Sequence, residues 1–208
     1  MQENTLNIDG VHMPKSQLGQ NKMNALVAAA EELFTEIGFY ETSISDICKK
    51  AKTAVGTFYI YFDTKIDVYR YIVEEYKRDI RQKLAQSIAN CTTRYERERE
   101  GIRCFVKYAL LRPTVYNVIW GSLSIDKQIF SDYYASFARS YMKGLAKSED
   151  EMSLSDLEAV SYMLMGISSF LGLQAIFEEK SENEIDKIID ETVMPMLSDG
   201  MFTKEKQQ

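Results

Sequence analysis

Apolar side chains recur along most of this chain with the spacing of one face of an α-helix. The first such run begins at Asn21, and its apolar positions are spaced three and four residues apart. They are Met23, Leu26, Val27, Ala30, Leu33, Phe34 and Ile37. Gly38 follows, where a helix C-cap belongs. Similar stripes continue to Val193 without strand-like alternation, so the pattern predicts an all-α protein of about nine helices.

Two short helical patterns joined by a tight turn follow the first helix. Ser43 and Asp46 have the spacing of a capping box, which predicts a helix starting at that point. A second short helix is predicted over residues 54–62, where Phe58 and Phe62 lie four positions apart and share an inner face. Two short helices in this arrangement are typical of a helix-turn-helix motif, whose second helix enters the major groove of DNA.

The pattern divides the chain into an arm and two domains. Residues 1–20 contain Gly and Pro without a helical period and are expected to form a flexible arm. Residues 21–66 are expected to form a three-helix helix-turn-helix domain, and residues 67–208 a larger helical domain. No apolar run approaches the ~20 residues of a membrane span, and no leader sequence is evident. We therefore expect a soluble, cytoplasmic protein with no membrane partner.

Charge changes this picture only slightly. The chain carries a net charge of −6. Residues 14–84 hold 11 Lys/Arg against 10 Asp/Glu, so the acidic excess lies mainly elsewhere. Lys49, Lys50, Lys52 and Lys65 gather around the turn and the start of the next helix. This is a modest basic surface for a nucleic-acid-binding domain, and charge alone would not establish one.

The candidate chemistry argues against an enzyme. His12 is the only histidine, and it lies in the predicted arm, so no histidine-based catalytic pair or metal cluster can form. The three cysteines lack Cys-x-x-Cys spacing, and no Gly-rich phosphate loop or paired-carboxylate signature is present. We expect no catalytic site, no metal and no cofactor.

The start of the second short helix has residues suited to DNA. Thr53, Ala54, Val55 and Gly56 are small enough for a close approach to base edges, and the methyl groups of Val55 can contact a thymine methyl. Lys65 lies in the first turn of the following helix, where a positive charge opposes the helix dipole. A phosphate partner would account for a lysine at that position.

These residues resemble the tetracycline-repressor-like (TetR-type) regulators. The resemblance covers residues 23–84 and is densest over 42–47 and 55–65, where the series Gly-Thr-Phe-Tyr-x-x-Phe-x-x-Lys runs from Gly56 to Lys65. It implies a homodimeric repressor that binds a palindromic operator in double-stranded DNA and is released by a small effector. The positions that it implies for phosphate contacts are Thr42, Thr57, Tyr59, Tyr61 and Lys65. Those that it implies for base contacts are Thr53, Ala54 and Val55, and we add Lys52 and Gly56 as further DNA contacts.

The chain departs from the family pattern at three of these positions. The family usually has Gly where Lys52 stands, so we expect Lys52 to adopt a positive φ at a cost of about 1 kcal/mol. It usually has Ser or Thr where Ala54 stands, and the missing cap costs a similar amount, about 1 kcal/mol. Tyr61 is often His in relatives. These changes affect the turn and the base contacts rather than the fold.

The C-terminal half resembles the family in architecture alone. Its aromatic residues are candidates for an apolar pocket that would take a small hydrophobic or amphipathic effector, with fatty-acyl compounds among the candidates. Aromatic residues at helical spacing also fill ordinary cores, and Arg112 could pair with a ligand carboxylate or with Asp or Glu. The candidate ligand residues are Phe105, Tyr108, Arg112, Tyr116, Trp120, Tyr133, Phe137, Tyr141 and Phe170.

A homodimer interface is predicted on the last two long helical patterns. Small residues such as Gly166 and Gly172 permit close helix approach, and a two-fold dimer suits a palindromic operator. The candidate interface residues are Val160, Leu164, Ile167, Ser168, Leu171, Ile185, Ile188, Ile189 and Thr192. Each of them could instead belong to an intramolecular core. The alternative function for the whole chain is a helical small-molecule-binding protein without DNA-binding activity.

Overall fold

The computed structural model describes residues 8–153 and 155–199, without the side chain of residue 149. These residues are predominantly helical, which confirms the predicted all-α class. A 3-10 segment, Ala146–Glu151, follows α7, and a π-helical turn, Ile189–Val193, joins α9 to α10. The α-helices are α1 (Gln17–Glu36), α2 (Ile44–Lys50), α3 (Val55–Tyr61), α4 (Lys65–Ser87), α5 (Arg94–Leu111), α6 (Thr114–Ile125), α7 (Lys127–Leu145), α8 (Leu157–Phe177), α9 (Glu182–Ile188) and α10 (Met194–Asp199).

The first helix begins earlier than the apolar stripe predicts. Ser16 is its N-cap, and the Ser16 hydroxyl accepts a hydrogen bond from the Gly19 N–H at 3.2 Å. This cap starts α1 at Gln17 instead of Asn21. Gly38 has a φ of +89°, which agrees with its predicted place at the end of the helix. Residues 1–7 of the predicted arm lie outside the described residues.

The described chain divides into two compact units whose boundaries differ from the predicted domains. The first contains the described residues up to Arg78 together with Thr114–Tyr133, and the second contains Asp79–Pro113 and the described residues from Tyr134 onward. Helix α6 belongs to the first unit, where it packs on α1 and is hydrogen-bonded to α4. The Tyr69 hydroxyl donates to the Val118 carbonyl, and the Arg70 guanidinium pairs with Asp126 at 2.9 Å.

The core of the first unit brings α1 to α4 together. Phe58 and Phe62 of the predicted inner face are both fully buried, with ring centroids 5.6 Å apart. Phe34 and Tyr69 form a second aromatic contact at 5.5 Å. Burying each such large apolar side chain contributes about 1.5–3 kcal/mol, so the burial of Phe58 and Phe62 stabilises the short helix α3 on the core. Further fully buried members are Met23, Leu26, Ala30, Ile47 and Val68.

The core of the second unit includes several residues of the predicted dimer interface. Leu171, Ile185 and Ile189 are buried within this chain, together with Ile102 and Val106 of α5. Ile167 and Ile188 are partly buried against the same cluster. Burial within the chain favours the intramolecular alternative at Leu171, Ile185 and Ile189, and the predicted interface stays a prediction. Helix α8 is the one described helix long and apolar enough to cross a membrane by length and composition, yet it supplies part of this core.

Candidate nucleic-acid interface

Helix α2 starts at the predicted capping box. The Ser43 hydroxyl accepts from the Asp46 N–H at 3.1 Å, and the Asp46 carboxylate accepts from the Ser43 N–H at 3.1 Å. These hydrogen bonds lower the pKa of the Asp46 carboxyl. The box satisfies two backbone groups that a short helix would otherwise leave open, and so fixes where the first helix of the motif begins.

The turn between α2 and α3 closes at Lys52. This residue has a φ of +54°, as the departure from the family's Gly predicts. The Lys52 N–H donates to the Lys49 carbonyl at 3.2 Å, and the Thr53 N–H donates to the Cys48 carbonyl at 2.9 Å. These bonds close the C-terminus of α2 and hold a lysine in a conformation that costs on the order of 1 kcal/mol.

Helix α3 begins without a side-chain cap and exposes one face. Ala54 is its N-cap and makes no side-chain hydrogen bond, as its side chain predicts. Val55 and Tyr59 are exposed one turn apart, and a Cβ placed on Gly56 would meet open space. Ile60 is 61% exposed and was not among the predicted contacts. Ile60 lies two residues from both Phe58 and Phe62, which face inward. This position in the sequence would have predicted an outward-facing Ile60.

The other predicted contacts differ in accessibility. Lys52 and Ala54 are exposed, whereas Thr53, Thr57 and Lys65 are half-buried. Thr42 and Tyr61 are buried, with exposures of 1% and 5%. The Thr42 hydroxyl donates to the Gly38 carbonyl at 2.7 Å, so it is engaged inside the α1–α2 loop. The accessible part of the predicted surface is therefore the turn and the outer face of α3.

Lys65 has partners within the chain. Its ammonium donates to the Phe39 carbonyl at 2.6 Å and to the Thr42 carbonyl at 2.7 Å, and it lies 4.3 Å from the centre of the Phe39 ring. Burial lowers the pKa of this ammonium. These contacts explain a lysine in the first turn of a helix without invoking DNA. Its predicted phosphate contact stays a prediction.

The lysines around the turn are not equivalent. The Lys50 ammonium pairs with Glu32 at 2.6 Å and with Glu36 at 3.1 Å, so α1 compensates its charge. Hydrogen bonds to those carboxylates raise the pKa of Lys50. Lys49 and Lys52 are exposed beside the turn. They are the lysines of this group best placed to meet an external anion.

The candidate ligand residues fall into both units. Tyr116, Trp120 and Tyr133 belong to the first, where Trp120 packs on Phe130 at 6.0 Å. The remaining six belong to the second. There Arg112 lies 3.5 Å from Asp79, which is one of the pairings that the sequence left open, and the Tyr141 hydroxyl donates to Glu98. Burial raises the pKa of Tyr141 well above its ordinary value.

The first unit contains a cavity of about 480 Å³ that none of the candidate ligand residues lines. Its wall is mostly charged, with Arg70 between several carboxylates. The lining residues are Ile8, Asp9, Arg70, Val73, Glu74, Asp126, Gln128, Ile129 and Asp132. This cavity does not have the apolar lining that was predicted for an effector pocket.

Comparison with known proteins connects this geometry to a family. The family model for bacterial regulatory proteins of the tetR family matches residues 26–72, which span most of α1 to the first part of α4. The chain is 51% identical over 53 residues to the HTH-type transcriptional regulator YvdT of Bacillus subtilis (strain 168), itself uncharacterized. That match covers 26% of each chain, so the chain aligns with about a quarter of this curated relative's length.

Solved structures extend the likeness to the rest of the fold. A protein from Syntrophomonas wolfei described as a TetR-family transcriptional regulator superposes with a TM-score of 0.77 at 18% identity, covering 89% of this chain and 99% of that one. The fatty acid degradation regulator FadR from Bacillus halodurans gives 0.74 at 17% identity, covering 89% and 96%. The chain thus carries an N-terminal segment that matches the tetR family of bacterial regulatory proteins, and its fold is similar to that of these solved structures.

Proposed function

We propose that this protein is a DNA-binding transcriptional repressor that acts on a palindromic operator in double-stranded DNA. The observation that carries the proposal is the exposed outer face of α3, presented directly after the turn at Lys52. A short helix held by a buried inner face and open on its outer face is the geometry that enters a major groove. A regulator of this kind works in the cytoplasm and needs no catalytic site, which agrees with the expected lack of one.

The contacts follow from accessibility. Val55 and Tyr59 face outward one turn apart on α3, and Ile60 adds an apolar side chain beside them. Aliphatic side chains discriminate thymine through its methyl group, so Val55 and Ile60 are the proposed base contacts. Lys49 and Lys52 are the proposed phosphate contacts, because they are exposed beside the turn. Thr53 and Thr57, which are half-buried, are proposed to add hydroxyl contacts to the backbone.

The proposed homodimer uses the exposed face of α8 instead of the predicted core positions. Met163, Phe170 and Phe177 are spaced seven residues apart and are 55%, 62% and 77% exposed. Residues at this spacing lie on one face of a helix, so the three side chains form a continuous apolar stripe. Exposed stripes of this kind mark interaction sites, and a two-fold pairing through α8 would suit a palindromic operator.

The proposed effector is a small hydrophobic or amphipathic molecule. Aromatic side chains in the second unit, including Tyr108 and Phe137, supply the apolar surface for it. The similar fold of a fatty acid degradation regulator supports fatty-acyl compounds as the first class to test. Retardation of operator DNA should fall when such a compound is added, and thermal unfolding should shift upward in the same range of concentrations.

Selection of bound DNA from a random pool tests the central proposal. The full-length protein should enrich a palindromic sequence, and its affinity should fall steeply as salt rises. Val55→Ala should then change the enriched sequence while leaving the salt dependence unaltered. A homogeneous dimer that causes no electrophoretic retardation of any DNA at low salt would instead support the alternative of a helical small-molecule-binding protein.

A further inference from the structure

The segment Ile8–Ser16, the N-terminal strap, lies against the carboxyl end of α3. Val11 forms an antiparallel β-bridge with Phe62. The His12 N–H donates to the Tyr61 carbonyl at 2.8 Å, and the Asp63 N–H donates to the Gly10 carbonyl at 3.0 Å. Tyr61 is the last residue of α3 and Phe62 its C-cap. The strap therefore binds the backbone groups with which the proposed recognition helix ends.

The strap also approaches the start of α4. Gly10 has a φ of +74°, and a Cβ built there would lie 2.6 Å from the carboxyl group of Asp67. Asp67 is buried, and its carboxylate accepts from the Thr64 N–H at 2.9 Å. Both the backbone conformation and the lack of space favour glycine at this position. One residue thus sets how closely the strap packs on the α3–α4 junction.

Helix α3 needs such support. It has seven residues and no side-chain cap at its N-terminus. Isolated helices shorter than about 12 residues are marginal in water, so the position of α3 depends on its neighbours. Its inner face is held by Phe58 and Phe62, and its carboxyl end by the strap. The strap adds a side-chain contact as well, because His12 Nε2 lies 2.8 Å from Asp63 Oδ1.

We propose that the strap positions α3 for sequence-specific DNA binding, and this inference rests on the proposed function. By pairing with Tyr61, Phe62 and Asp63 it fixes the angle at which α3 leaves the motif and α4 begins. A recognition helix misplaced by about 1 Å loses much of the van der Waals contact that Val55 and Ile60 would make with thymine methyl groups, because dispersion attraction falls steeply over that distance. The hydroxyl contacts to the DNA backbone are lost as well, because hydrogen bonds require donor–acceptor distances within a few tenths of an ångström. The strap acts through the backbone of α3 and needs no DNA contact of its own.

Gly10→Ala tests the inference in the full-length protein, with Gly38→Ala as the matched control. Both glycines have positive φ, but a Cβ on Gly38 meets no atom within 4 Å, whereas one on Gly10 meets Asp67. Gly10→Ala should weaken operator binding at least tenfold with the slope of log affinity against log salt unchanged. Gly38→Ala should share the conformational strain and keep its affinity within about threefold. Hydrogen exchange at the Asp63 amide should be faster in Gly10→Ala and unchanged in Gly38→Ala. Faster exchange would show that the strap has been released, because the Asp63 N–H donates to the Gly10 carbonyl.

A second pair of variants separates the backbone contact from the side chain. His12→Pro removes the N–H that donates to Tyr61, and His12→Ala keeps it while removing the imidazole. The proline variant should lose as much affinity as Gly10→Ala, and the alanine variant less. Wild-type affinity in both Gly10→Ala and His12→Pro would overturn the inference, as would a reduced salt slope, which would mean that the strap contacts phosphates. If the unaltered protein bound no DNA, the proposed function would fail and this inference with it.

Discussion

The Lys65 ammonium donates to the Thr42 carbonyl at 2.7 Å, across 23 positions of sequence. The same ammonium reaches the Phe39 carbonyl, so one side chain at the start of α4 ties down the loop between α1 and α2. A charged donor binding two carbonyls stabilises a loop that would otherwise leave those acceptors to water. Family resemblance implies that Lys65 contacts a DNA phosphate. In this structure the same lysine stabilises the loop between α1 and α2.

Lys65→Met should weaken DNA binding without changing its salt dependence. The loop loses its tether, so affinity should fall across all sequences, while the number of phosphate contacts stays the same. Loss of the ammonium should also lower the free energy of unfolding by about 1–3 kcal/mol, since two carbonyls lose a charged partner. Binding isotherms at several salt concentrations measure the first effect, and urea denaturation the second.

Lys52→Ala is the control for that experiment. Its side chain is exposed, so its loss should reduce the salt slope by about 0.9 if it contacts one phosphate. A similar fall in slope for Lys65→Met would show that Lys65 meets DNA directly and would contradict the tethering role.

Lys52→Gly should raise stability and reduce DNA affinity in the same variant. Glycine relieves the positive φ, which contributes about 1 kcal/mol, but it removes an exposed positive charge. Thermal unfolding and DNA retardation measure the two effects separately. Lys49→Gly is the matched control, because it removes a neighbouring charge inside α2 and should lower stability by about 1 kcal/mol. Equal destabilisation by both substitutions would argue against strain at Lys52.

Ala54→Ser should stabilise α3 by about 0.5–2 kcal/mol, because it supplies the side-chain cap that the helix lacks. Urea denaturation measures the gain. Ala51→Ser is a useful control, since Ala51 lies at the C-terminal end of α2, where a hydroxyl caps no N–H. A gain at position 51 equal to that at 54 would indicate a cause other than capping.

Phe177→Asp should dissociate the proposed dimer and thereby weaken operator binding. A charge within the α8 stripe would be buried at the interface without a partner, which is costly. Sedimentation measures the oligomeric state. Leu111→Asp provides the comparison, because Leu111 is a large apolar side chain that is also well exposed but lies on α5. A dimer that survives Phe177→Asp, or is lost equally with Leu111→Asp, would locate the interface elsewhere.

Stability of the second unit should fall in acid through Asp190. The Arg99 guanidinium donates to both carboxylate oxygens at 2.6 Å, and this lowers the pKa of Asp190 below its ordinary range. A lowered folded-state pKa gives stability that is present above the unfolded value, about 3.9, and is lost as pH falls through the folded value. Asp190→Asn should flatten this part of the acid unfolding curve. Glu191→Gln, which removes a weak exposed pair, should leave it unchanged.

The helix caps, the turn between α2 and α3 and the inner face of α3 could be predicted from the sequence. The capping box at Ser43, the uncapped start of α3 at Ala54 and the positive φ at Lys52 each depend on residues within a few positions of one another. Their energies are those of short-range hydrogen bonds and backbone sterics. The paired burial of Phe58 and Phe62 follows from helical periodicity in the same way.

Tertiary packing decided which apolar positions belong to the core and which distant residues contact each other, because the local sequence pattern is compatible with several arrangements. Leu171 and Ile185 are apolar at helical spacing, which suits a core and an interface alike, and their common burial with Ile102 assigns them to the core. The partners of Lys65 and the strap across Phe62 join residues that are 23 or more positions apart. The sequence by itself determined where α2 and α3 start, how the turn closes and which family pattern the motif follows, because those depend on neighbours along the chain. Which side chains remain accessible to DNA or to a second copy was decided by the tertiary structure, because accessibility depends on what packs against them in space.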